Sequence, residues 1–251
     1  MGGEVGVSAA YLRFELLRTL RNRRVLLFSL AFPIVLYVLI AAPNRNEHDL
    51  AGTGISAPLY FMIGLASFGT MNAVLSGGAR IAAERSVGWN RQLRITPLSA
   101  RQYFRAKVAT SYLLALVSLL ALYVAGIALG VSIPAGRWVE MTFLVLVGLI
   151  PFAALGILLG HLLTADSVGP AIGGTTALFA FLGGSWFPIT GNGFIPHLAK
   201  LLPSYWVVQA SRAGLGAPHP WTSGAWAVIV VWSVVLIALA RRAYRRDTQR
   251  V

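Results

Sequence analysis

Six long apolar runs divide the chain: Val25–Ala42, Ala57–Ala79, Val108–Val131, Trp138–Leu163, Val168–Phe187 and Thr222–Ala240. A helix that crosses a bilayer needs about 20 mostly apolar residues, and only helices or closed barrels satisfy their backbone in lipid. These runs are continuous rather than alternating, which favours helices over a barrel. The pattern predicts an all-α polytopic membrane protein, a single domain over 1–251 with six transmembrane helices. The first run is short and is expected to extend on its basic side.

Polar positions organise what lies between the runs. Residues 8–24 read as an interface helix, with Ala9, Leu12, Leu16 and Leu20 in one stripe and Glu15, Arg18 and Asn22 largely opposite. Tyr11, Phe14 and Leu17 blur the two faces. Such a segment suits the membrane surface, basic side toward anionic headgroups; an ordinary basic flank is the alternative. Residues 188–221 hold a short apolar stretch, Phe194 to Leu202, bounded by Pro196 and Pro203, then Tyr205–Ser211. Short re-entrant helices account for this pattern, with Tyr205, Trp206 and Trp221 as interfacial aromatics.

The richest polar stretch is residues 80–107. Gly88 and Pro97 rule out one continuous helix. Instead two helices project from the bilayer, joined by a compact turn in which Trp89–Arg94 can form a short helix. Ser99 with Gln102 makes a capping box, and Leu98 with Tyr103 fits the hydrophobic staple around it. Trp89, Leu93 and Leu98 set among arginines suit a docking surface better than a solvated loop.

Charge gives the orientation. Of 21 Lys and Arg, five lie in 13–24, seven in 80–107 and five in 241–250. The other face receives Arg45, Arg137, Lys200 and Arg212. The positive-inside rule therefore puts both termini and the 80–107 loop in the cytoplasm. With its cations gathered at the ends of apolar runs, the net charge of +13 points to membrane lipid and away from nucleic acid. The basic lead-in and the length of the first run favour an uncleaved anchor over a signal peptide. An excess of Arg over Lys, 19 to 2, fits a GC-rich bacterial genome, hence a bacterial inner membrane.

Chemistry is mostly absent. Lys107 and Lys200 follow alanines, so neither is a P-loop lysine. The four histidines are scattered, no metal or catalytic constellation emerges, and Gly183-Gly184-Ser185 lacks the context of a nucleophile. No carboxylate sits near a span midpoint, as ion coupling would require. The chain reads as a non-enzyme whose energy comes from elsewhere. Asn72, Thr175 and Thr176 can line a substrate path or simply hydrogen-bond between helices, and Phe179 with Phe181 can add an apolar wall or face lipid. Gly126/Gly130, Gly156/Gly160 and Gly169/Gly173 permit close helix packing, and Pro151 predicts a kink.

Together these features resemble the ABC-2-type permeases, membrane subunits of ATP-binding-cassette exporters of drugs, lipids and polysaccharides. The most specific stretch runs from Glu84 to Ser99, followed by Tyr103 and Lys107. Glu84, Gly88, Leu93, Thr96, Pro97, Leu98 and Ser99 match the family's cytoplasmic coupling loop, while Trp89 stands where a smaller residue is common. Gly183–Ile189 with Leu202–Trp206 is similar to its fifth span and re-entrant segment. The resemblance implies ATPase coupling through Glu84, Gly88, Trp89, Leu93, Thr96, Pro97 and Leu98, with residues 161–167 as a minor second contact. It implies a nucleotide-binding ATPase subunit as partner, which carries ATP and Mg, and a second permease chain, identical or not. No cofactor is expected on this chain. Drug, antibiotic, lipid and lipid-linked glycan remain open as substrates, and a channel or secondary transporter remains the rival class.

Overall fold

The computed structural model describes residues 2–50, 54–88, 99–187, 189, 193–212 and 221–249, and among these the regular secondary structure is all helical, with no strand. The helices are α1 (Gly2–Arg21), α2 (Arg23–Leu26), α3 (Phe32–Ala41), α4 (Ala57–Ser86), α5 (Ala100–Ala128) and α6 (Ala135–Gly148). They continue with α7 (Ile150–Leu162), α8 (Ala165–Gly183), α9 (Phe194–Lys200), α10 (Pro203–Arg212) and α11 (Ser223–Gln249). A π-turn, Leu27–Ala31, joins α2 to α3. Four stretches among the described residues are long and apolar enough to cross a membrane: Ala57–Ser86, Arg101–Ala128, Ala135–Leu162 and Ser223–Asp247. Leu27–Ala41 is a shorter apolar stretch. The chain is therefore an all-α polytopic membrane protein.

Local signals in the sequence explain most boundaries. Ser99 starts α5 with both arms of its capping box, Gln102 N to Ser99 Oγ at 3.3 Å and Ser99 N to Gln102 Oε1 at 2.8 Å. Thr164 and Ser167 form a second box at the start of α8. Proline lacks an amide hydrogen and its ring crowds the carbonyl four residues back. The apolar stretch Ala135–Leu162 accordingly breaks at Leu149, just before Pro151.

Helix α4 is the axis of the bundle. It packs against α3, α5, α7, α8 and α10, and 22 of its 30 residues are buried. Its hydroxyls satisfy themselves on the preceding turn: Ser67 to Ile63 O (2.9 Å), Thr70 to Ala66 O (2.7 Å) and Ser76 to Ala73 O (2.7 Å). Small residues let its neighbours reach the backbone. A Cβ at Gly78 would stand 2.1 Å from the Gly156 carbonyl oxygen, and one at Gly160 would stand 2.6 Å from Gly78 O. A Cβ at Gly64 would collide with Ser185 O. The Gly156/Gly160 pair thus makes the close contact expected of it. Gly169 and Gly173 instead face open space, and Gly130 ends its helix at φ +91°.

A polar seam crosses the apolar core at the π-turn. Ser118 Oγ donates to Ser29 O (2.5 Å), Asn72 Nδ2 to Ser29 Oγ (3.2 Å) and Thr176 Oγ1 to Asn72 Oδ1 (3.5 Å). The π-turn alters the helical ladder there, and Ser118 takes up the Ser29 carbonyl. On the far side, α10 is buried: Val207 meets Gly148, Ser211 Oγ lies 3.2 Å from Ser67 Oγ, and Trp206 Nε1 caps Lys200 O at 2.8 Å.

Gly78→Ala must push α4 and α7 apart, with an expected loss of about 1–3 kcal/mol from overpacking. Gly174→Ala has nothing within 4 Å of the added carbon, so helix propensity should make it neutral or stabilising by up to about 1 kcal/mol. Thermal unfolding of both variants in detergent checks the contrast.

Candidate functional site

The helices meet at one basic end of the bundle around Glu84. Three and a half turns of unbroken helix past the middle of α4, its carboxylate is 1% exposed. Oε1 accepts from Lys107 Nζ on α5 (2.5 Å) and Arg18 Nη1 on α1 (2.6 Å), while Oε2 accepts from Tyr103 Oη (2.6 Å). Lys107, also 1% exposed, reaches Glu15 Oε1 at 2.9 Å and lies 5.2 Å from the Tyr103 ring centroid. Tyr11 donates to Glu15 Oε1 at 3.3 Å. Burial, and then the Glu15 and Glu84 carboxylates, push the Tyr11 phenol up, so it stays a donor near neutral pH. A buried charge left unpaired is costly; here Glu84 is matched to cations from two other helices, and Glu15 to Lys107 of α5 and, at 3.7 Å, to Arg18 of its own helix.

This arrangement corrects the expected orientation of the first helix. Glu15, read as part of an outward polar face, is fully buried, and Phe14 and Leu17 are exposed. Glu15 turns inward because α5 offers it Lys107, a partner that the helix's own periodicity does not reveal.

The next residue grips the opposite side. Adjacent helix positions point about 100° apart, so Arg85 faces α7 and α11. Its Nε and Nη2 embrace Asp247 at 2.5 and 2.8 Å, and Nη1 donates to Gly160 O (3.0 Å) and Leu163 O (3.2 Å). Those two carbonyls lie at the end of α7, where no intrahelical donor is available. His161 Nδ1 lies 3.0 Å from Asp247 Oδ2. Phe104 stacks edge-on to Tyr103, His161 and Tyr244, at 5.2, 5.9 and 5.0 Å, and closes the space between the two clusters.

The 89–98 segment leaves from this doubly held helix end. Gly88 follows α4 at φ +70° with its amide 3.1 Å from Arg85 O, a left-handed stop that favours glycine. Ser99 then starts α5. Trp89, Leu93, Thr96, Pro97 and Leu98, like the expected Trp89–Arg94 helix, lie outside the described residues.

A cavity of about 770 Å³ opens between the α1–α3 region, α4 and α8. Asn72 lines it, and Thr176 is buried behind Asn72. Thr175 is half-buried and does not line it. Phe179 is half-buried and does not line it, lying edge-on to Phe152 (5.3 Å) and Trp232 (6.2 Å). Sequence reasoning missed Arg18, Ser29, Ser76, Arg80 and Trp186, which also line this space. The available signal was the four-residue spacing Phe68, Asn72, Ser76, Arg80, which puts all four on one face of α4.

A family model described as ABC-2 family transporter protein matches residues 43–242. A Bacillus subtilis (strain 168) protein, whose name, transport permease YvfS, is itself provisional, is 26% identical over 234 residues, covering 90% of this chain and 88% of the relative.

Asp247→Asn keeps the shape of the second clamp but removes its charge. Because Arg85 and Asp247 are 26% and 20% exposed, solvent screening limits the expected loss to about 1–2 kcal/mol. Hydrogen exchange over residues 241–249 should quicken, while α1 should be unaffected.

Proposed function

The chain belongs to the ABC-2 family of transporter proteins, and on that premise we propose that it is the permease subunit of an ATP-driven exporter. It carries a hydrophobic or amphipathic substrate out of the cytoplasm or inner leaflet of a bacterial inner membrane by alternating access. ATP and Mg are bound by a separate nucleotide-binding subunit, and two permease chains pair around the path. In this reading the chain crosses the bilayer six times, with α8 and the α2–α3 region adding to the four long apolar stretches. Both termini and the basic end are cytoplasmic, α1 is the interface helix, and α9 and α10 are the re-entrant segment.

The double grip on the end of α4 supports this reading best. A docking loop transmits force only if its footing is stiff. Glu84 ties that footing to α1 and α5, while Arg85 ties it to α7 and α11. Motion of residues 89–98 against an ATPase then turns helices instead of bending one loop. The relative named a transport permease supports a transport role.

Co-purification in detergent with candidate ATPase subunits from the same genome tests the proposal. Leu93→Asp with Leu98→Asp should weaken ATPase association or substrate-linked hydrolysis by roughly tenfold or more, as loss of apolar anchors does at interfaces. If no ATPase binds the native chain under any condition, a channel or secondary transporter becomes the better reading.

A further inference from the structure

The cavity beside α4 carries a polarity gradient that the transport reading alone does not require. At the basic end Arg80 is 6% exposed, and among the described residues only one of its guanidinium nitrogens is satisfied, Nη2 donating to Ser111 Oγ at 2.8 Å. Nε and Nη1 are buried without a partner. Donors of a charged group left unpaired are expensive. The carboxylates of the neighbouring cluster are engaged by Arg18, Lys107 and two tyrosines, and no hydrogen bond joins either to Arg80. Glu15 Oε2 is itself without a partner. Among the described residues, three cations, Arg18, Arg80 and Lys107, face two carboxylates, Glu15 and Glu84, which leaves one positive charge at the cavity wall.

Away from that end the lining turns apolar. Phe28 to Phe32, Phe32 to Phe68 and Phe68 to Trp186 are ring contacts at 6.3, 6.1 and 5.9 Å, a continuous aromatic ladder. Ser76 and Asn72 stand between the ladder and Arg80 on the same face of α4. From Arg80 to Phe68 is twelve residues, or about 18 Å at the helical rise. The volume lies within the usual range of roughly 300–1,000 Å³ for small-molecule sites.

We propose that this cavity binds an amphiphile with an anionic head, phosphate or carboxylate, placing the head on Arg80 beside Arg18 and the tail along the aromatic ladder. This rests on the exporter reading and names its substrate class. The anion would pair with the Arg80 guanidinium, whose Nε and Nη1 have no protein partner among the described residues, and offset the surplus charge. A neutral amphiphile would fill the apolar end but leave Arg80 unpaired. A small free anion would leave the ladder empty.

Native mass spectrometry of the full chain in neutral detergent tests this without an ATPase, so its outcome is independent of the coupling experiment. Lysophosphatidate should bind at roughly tenfold lower concentration than the uncharged monoacylglycerol of the same chain length, as expected for a charge-assisted pair. Arg80→Gln should abolish the preference and Arg80→Lys should retain it. Gly173 lines the cavity with open space where a Cβ would go, so Gly173→Leu should fill it and reduce binding of both lipids. Equal binding of the two headgroups overturns the proposal. So does a preference that survives Arg80→Gln, since the anion then sits on surface arginines. Displacement by inorganic phosphate at the same concentration would mark a free-anion site instead. Should Arg80→Gln fail to fold, unchanged lysophosphatidate binding by Gly173→Leu is still decisive against it.

Discussion

Taking a carboxylate and an ammonium out of water costs several kcal/mol per ion, and their mutual attraction offsets this only where geometry and further hydrogen bonds are good. Glu84 and Lys107 meet those conditions. They are 2.5 Å apart, each is 1% exposed, and Arg18, Tyr103 and Glu15 supply the remaining partners. The rest of the basic end follows from that pair. Glu84 needs Arg18, which draws α1 against the bundle, and Lys107 needs Glu15, which fixes the rotation of α1. Neither requirement could be met by α4 and α5 alone.

The glycine contacts make the second half of the same argument. Gly78 touching Gly156 and Gly160 brings α7 to within backbone distance of α4. That approach puts the end of α7 within reach of Arg85, whose third nitrogen donates to Gly160 O and Leu163 O. Apolar packing in lipid gives little preference for one rotation of a helix over another. Close backbone contact and directional charge pairs supply it. The footing of the 89–98 segment is therefore determined from two sides by different physics: small-residue packing with a bidentate arginine on one, a buried ion cluster on the other.

What could be read from the sequence was what depends on near neighbours. The Ser99–Gln102 box, the break before Pro151 and the close Gly156/Gly160 contact all rest on residues within a few positions, or on the simple absence of a side chain. Glu84 and Gly88 were singled out by resemblance, and they stand at the foot of the 89–98 segment. What escaped depends on partners distant in sequence. Glu15 turned inward because of Lys107, which the pattern of α1 cannot disclose. Phe179 is half-buried and lies edge-on to Phe152 and Trp232, while Trp186, three residues beyond α8, lines the cavity. Arg80 was counted with the loop arginines as an orientation signal, although its four-residue spacing from Ser76 and Asn72 put it on the cavity face.

The most direct test of the central claim is a double-mutant cycle on unfolding stability in detergent, with Glu84→Gln, Lys107→Met and the two combined. A buried pair on which the junction depends predicts that each single variant is strongly destabilised and that the double recovers, with a coupling energy of at least about 2 kcal/mol. Losses that add to within about 0.5 kcal/mol would contradict it. The ion pair would then be incidental to the junction, and the footing of the loop would have to be held by packing alone.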